Sequence, residues 1–137
     1  MSEEITSTQI KQQALNLGFH KVGIAQIEAQ EKDEATNDLK RWLAQGYNAD
    51  MEWMNNLKRF DVRNCMEDVQ SIISVALNYY TPHQHSDNPE EGKISRYAWG
   101  RDYHKVMLKK LKIFSQWLQS QGKGIKTRYY VDTGPIL

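Results

Sequence analysis

The chain of 137 residues holds a single cysteine, Cys65. One thiol excludes an internal disulfide, and these residues alone cannot supply a four-thiolate iron–sulfur cluster. No apolar run reaches the roughly 18 to 20 residues that cross a bilayer. The opening Met1-Ser2-Glu3-Glu4 is acidic and polar, without the apolar core of a secretion signal. Net charge is also scarce, at +1, which argues against gripping nucleic acid by bulk charge. Internal repeats and low-complexity tracts are missing, as are Gly-x-Gly-x-x-Gly, a Walker loop, His-Glu-x-x-His and Cys-x-x-Cys. The common nucleotide, zinc-protease and thioredoxin readings therefore lose their support. A reducing, cytoplasmic setting with no membrane contact is the expectation, and a monomer is expected.

What is present suffices for a core. Hydrophobic residues make up 39% of the chain and aromatics 10%, so a disordered composition is ruled out. The length fits one domain. Thr6, Ser7 or Thr8 can cap a first helix with Ile10, Ala14, Leu15 and Leu17 as its stripe, ended by Gly18. Lys21–Ala25 reads as a short strand. A helix from about Asp33 to Gln45 turns Leu39, Trp42 and Leu43 inward. Met51–Leu57 reads as a short helix with Met51, Trp53, Met54 and Leu57 as its apolar set. Val69–Leu77 predicts a buried strand, and Thr81–Gly92 a long exposed loop. Ile94–Trp99 is extended or a short strand. Asp102 can cap a long helix to about Gln121, with Val106, Leu108, Leu111, Phe114, Trp117 and Leu118 at helical spacing. Lys126–Asp132 predicts a last strand before a Thr-Gly-Pro turn. The sum is a mixed α/β (α+β) domain, a small sheet flanked by helices. An ending on Ile136-Leu137 straight after a turn suggests truncation.

The densest constellation is Arg96-Tyr97-Ala98-Trp99-Gly100-Arg101-Asp102-Tyr103-His104, at an expected strand-to-helix junction. Free N–H groups there suit an anionic ligand. The plainer reading is a helix cap with aromatic core and a solvated Arg pair. Asp132, at the end of an apolar strand, can be partly desolvated, with a raised pKa suited to a general acid. An Asx turn before Gly134 is the plainer alternative. Arg59 and Arg63 can contact phosphate or carboxamide groups, or simply line a charged loop. His83 and His85 as metal ligands, and Cys65 as a nucleophile, lack visible partners and read better as loop histidines and a structural thiol. The lysines from Lys105 to Lys112 read as the wet face of the long helix.

Ser95-Arg96-Tyr97-Ala98-Trp99-Gly100-Arg101-Asp102-Tyr103-His104 and Val131-Asp132-Thr133-Gly134-Pro135 together resemble hallmarks of the epoxyqueuosine reductases. Leu17-Gly18-Phe19-His20-Lys21-Val22-Gly23-Ile24-Ala25 and the stretch from Met51 through Arg59 and Arg63 are similar as well. The resemblance implies reduction of epoxyqueuosine to queuosine in tRNA, with cobalamin and two 4Fe-4S clusters as cofactors. It implies an N-terminal cobalamin-binding domain over residues 1–137, incomplete, with the C-terminal 4Fe-4S ferredoxin-like domain absent. Its architecture should be that of cobalamin-dependent reductases. By position, Asp132 matches the family's catalytic acid, and Arg59, Ser95 and Asp132 match cofactor contacts. The implied partners are tRNA carrying epoxyqueuosine at the anticodon and an external electron donor. The stretch alone is expected to be inactive and to hold cobalamin weakly or not at all. A related cobalamin-dependent reductase with another substrate, or a non-catalytic module binding cobalamin or RNA, are the alternatives.

Overall fold

The computed structural model describes residues 5–27 and 34–136. Its regular elements are α1 (Ser7–Asn16), β1 (Lys21–Gln26), α2 (Glu34–Ala44), β2 (Ser71–Ala76) and α3 (Tyr103–Ser120). Four short 3-10 turns lie between them, at Glu52–Asn55, Leu57–Arg59, Val62–Asn64 and Arg96–Ala98. The mixed α/β class expected from the sequence is what forms. The expected start of α2 at Asp33 and the terminal Leu137 lie outside the described residues.

Thr6 caps α1 through a capping box. Its hydroxyl accepts from the Gln9 N–H at 3.2 Å, and its own N–H donates to the Gln9 side chain at 2.8 Å. Gly18 ends the helix at φ +84°, the left-handed region open to a residue without Cβ. Leu17's carbonyl, left over at that end, accepts from Lys110 Nζ at 2.5 Å. Asp102 caps α3, accepting the His104 N–H at 3.0 Å.

β1 and β2 form a two-stranded sheet. His20 N–H donates to Ala76 O at 2.8 Å and Ile27 N–H to Gln70 O at 3.1 Å, so the strands run antiparallel. Four sequence expectations give way here. β2 is not buried, since Ile72, Ile73 and Val75 are all half-exposed. A two-stranded ribbon lacks the second neighbour that would cover it. The segment 126–132 forms no strand, because no chain among the described residues offers it a ladder. Its Thr127 hydroxyl instead meets Ser115 Oγ at 2.6 Å and Gln119 Nε2 at 2.9 Å. The apolar turn at 51–57 is not one helix either. Asn56 is extended and accepts the Lys58 N–H at 3.1 Å, which breaks the segment into two 3-10 turns. Met51, Trp53 and Leu57 consequently stay exposed. Ile94–Trp99 folds as the 3-10 turn Arg96–Ala98 rather than as a strand.

The chain divides into two compact units, Met1–Gly23 with Val75–Val131, and Ile24–Ser74 with Asp132–Leu137. The first buries Ala14, Phe19, Leu111, Phe114 and Leu118 where α1 meets α3. Phe19 and Phe114 have ring centroids 6.4 Å apart, and Phe114 stacks on Trp117 at 6.1 Å. Leu108, counted with the inward stripe of α3 by spacing, is exposed. The second unit buries Thr36, Leu39 and Cys65.

Candidate functional site

In the second unit, the segment 56–65 is shaped by side chains bonding to nearby backbone. Asn64 Nδ2 donates to Leu57 O at 2.8 Å, and Asp61 accepts the Arg63 N–H at 2.9 Å. Thr36 Oγ1, itself buried, donates to Phe60 O at 3.2 Å. Cys65 is buried with Sγ 3.8 Å from Lys58 O, a structural thiol as the sequence suggested. These bonds hold Arg59 in the last position of a 3-10 turn. Its guanidinium lies 4.7 Å from the Trp53 ring, a cation–π distance. Its Nε is buried with no hydrogen-bond partner among the described residues. A desolvated donor without an acceptor is costly unless a ligand supplies one.

Asp132 belongs to the same unit as Arg59. It sits in a turn and is exposed, not at a strand end, so the local fold does not desolvate it.

Ser95 belongs to the first unit. It stands at the N-cap of the turn Arg96–Ala98, yet its hydroxyl makes no cap bond. Its carbonyl accepts from Ala98 N–H at 3.0 Å. Beside it, Arg96 Nη2 donates to His83 O at 3.2 Å, and the guanidinium lies 5.5 Å from Tyr80 and 5.8 Å from Trp99. Arg96 Nε is buried and lacks a partner among the described residues. Trp99 Nε1 donates to Ile94 O at 2.8 Å, and the His85 ring meets Trp99 edge-on at 5.0 Å. His85 is therefore packed rather than a solvated loop histidine, and no cluster able to hold a metal forms among the described residues.

Asp102 also meets His104 Nδ1 at 3.1 Å. The backbone N–H of His104 holds the Asp102 carboxyl below the ordinary carboxylate range, and the His104 ring and Lys105 add to this. The plainer reading of the constellation was thus right about the cap but not about its aromatics, because Tyr97 is exposed. Sequence spacing also missed Lys110. It is no part of the wet face but the C-terminal cap of α1, which only tertiary structure could reveal.

Residues 59–133 match the family described as "Epoxyqueuosine reductase QueG, DUF1730". The chain belongs to the epoxyqueuosine reductase family. The match begins at Arg59 and takes in Ser95 and Asp132. Among curated relatives, the epoxyqueuosine reductase of Atelocyanobacterium thalassa is 59% identical over 128 residues, covering 93% of this chain and 41% of the relative. That of Synechocystis sp. is 56% identical over 115 residues, covering 84% and 40%. The solved epoxyqueuosine reductase from Streptococcus thermophilus superposes with a TM-score of 0.77 at 26% identity, over 95% of this chain and 35% of that one. A crystal structure of epoxyqueuosine reductase with an epoxyqueuosine-modified tRNA-Tyr stem loop gives a TM-score of 0.73 at 27% identity, with the same coverage. The chain thus spans about two fifths of the length of the curated relatives it matches. Among the described residues, no helix is long and apolar enough to cross a membrane.

Proposed function

We propose that this chain is the N-terminal, cobalamin-binding part of an enzyme that reduces epoxyqueuosine to queuosine in tRNA. The observation that carries the reading is the family match over 59–133, joined to 59% identity with a curated epoxyqueuosine reductase. The enzyme works in the cytoplasm as a monomer and draws electrons from an external donor. Its 4Fe-4S clusters need thiolates from outside these residues, since Cys65 is the lone cysteine here.

Two features of the chain suit a corrinoid rimmed with amides. Arg59 Nε is a buried donor in need of an acceptor, and the exposed Trp53 ring beneath its guanidinium offers a flat apolar surface. The Ser95 hydroxyl, unused by its own cap, is a second polar contact. When bound, cobalamin supplies the electrons at a reactive metal centre.

The net change takes two electrons and two protons, turning the epoxide into an alkene and water. Both carbon–oxygen bonds break, and a carbon–carbon double bond forms. Asp132 delivers a proton to the departing oxygen, so that it does not leave as a free oxyanion. The exposed carboxyl of Asp132 is open to a substrate, and cover by the corrin and the tRNA would exclude bulk water from it. Arg59 and Ser95 orient the cofactor.

The deciding experiment replaces Asp132 with Asn in the full-length protein. Turnover on epoxyqueuosine tRNA should fall by about a hundredfold or more, as for loss of a general acid, while the cobalamin absorption spectrum is kept. An unchanged rate removes Asp132 from the mechanism.

A further inference from the structure

The geometry points to an aromatic shelf on the first unit, formed by Tyr79, Tyr80 and Tyr97, that stacks unpaired bases of an RNA loop. This rests on the reading of tRNA as the substrate, and assigns residues of this chain to holding it.

Single exposed tyrosines need no explanation, but a connected group of them does. Tyr79, Tyr80 and Tyr97 are 66%, 65% and 51% exposed. Tyr79 meets Tyr97 edge-on at 6.3 Å, and Tyr97 meets Tyr103 edge-on at 5.8 Å. Edge contacts of this kind fix the rings relative to one another while most of their area stays in water.

The shelf is also built in advance of any ligand. Arg96 lies against Tyr80 and Trp99 and ties the 83–85 loop down through His83 O. Trp99 is pinned by its indole N–H to Ile94 O, with the His85 ring against it. This scaffold leaves Arg96 Nε buried without an acceptor among the described residues. Burying an arginine donor this way is unfavourable for folding alone, so the arrangement favours a role for the surface it supports.

Charge selects the kind of partner. From Lys93 to Arg101 the chain carries Lys93, Arg96 and Arg101 and no Asp or Glu. Asp102, next in line, already accepts from His104, and Glu90 and Glu91 precede the stretch in the exposed loop. Flat rings beside arginines match bases and phosphates, and every base offers a π-face whatever its sequence. In a duplex those faces are covered by neighbouring pairs, so the shelf should discriminate a loop from a stem.

The test measures fluorescence anisotropy with the full-length, cofactor-loaded protein at fixed salt. One probe is an unmodified anticodon stem-loop RNA, and the other is a blunt duplex of the same stem. Tyr79→Leu and Tyr97→Leu should each weaken stem-loop binding about tenfold, the loss expected when one stacking ring is removed. Duplex binding should not change. Tyr79→Phe and Tyr97→Phe should bind as the parent does, because the ring is kept. Leu variants that bind the stem-loop as tightly as the parent overturn the shelf while leaving the tRNA reading intact. Leu variants that lose the cobalamin spectrum overturn it too, making the rings a corrin contact. A parent protein that does not bind the stem-loop at all removes the tRNA reading itself, and the shelf with it.

Discussion

The two units hold themselves together by different means. The first closes around a packed apolar seam, in which Ala14, Phe19, Leu111, Phe114 and Leu118 are buried between α1 and α3. Among its described residues the second buries little beyond Thr36, Leu39 and Cys65, and relies on short polar bonds that set the turns from Asn56 to Cys65. Non-directional burial tolerates movement of the surface above it, whereas a net of local hydrogen bonds fixes backbone direction residue by residue. The contrast suits what each carries. Loops on the first unit display rings, while the turns of the second hold one guanidinium in place.

The largest test of this contrast is Phe114→Ala. It should destabilise the protein by about 3–5 kcal/mol in urea titrations, as large-to-small changes at buried aromatics do. A loss under about 1 kcal/mol would mean the seam is not what holds the first unit.

Gly18→Ala comes next. It places a Cβ at φ +84° and 2.9 Å from Lys110 Nζ, straining both the turn and the cap. A loss of about 1–2 kcal/mol is expected, beyond the gain that Gly→Ala gives at permissive sites.

Thr36→Val probes the second unit. It removes the donor to Phe60 O with little change of shape, and should cost about 1 kcal/mol. It should also weaken cobalamin binding in the full-length protein, because Phe60 follows Arg59. Loss of stability with cobalamin affinity untouched would separate the turn from the cofactor.

The smallest effect concerns Asp102. Its carboxyl titrates below its ordinary value in the folded protein, so the cap stabilises the fold above that ordinary value. The contribution fades as pH falls through the lowered, native one. Asp102→Ala should flatten acid stability in that window and lower the melting temperature slightly at neutral pH. Asp102→Asn should keep the neutral-pH cap but lose the acid dependence.

Local signals were the legible ones. Thr6, Gly18 and Asp102 carry cap chemistry that depends on a few neighbouring residues, and each stands where spacing put it. Leu39 is likewise buried on α2 as its period requires, with Trp42 and Leu43 half-buried beside it. What failed depends on partners. Residues 126–132 have the composition of a strand but no neighbour to pair with, and the apolar set at 51–57 is broken by one Asn side chain. Arg59 and Asp132 were candidates from their residue types, but only the resemblance gave them a role. Their composition alone gave them no advantage over an ordinary charged loop and turn. The cation–π contact with Trp53 and the unsatisfied Nε are properties of three dimensions.

The bond from Lys110 to Leu17 spans 93 residues of chain. During synthesis the first helix leaves the ribosome early, but its last carbonyl waits for a lysine translated much later. Phe19 waits with it, for Phe114. A nascent chain that pauses before α3 emerges therefore leaves Ala14 and Phe19 uncovered, and is the form that chaperones or proteases would meet first.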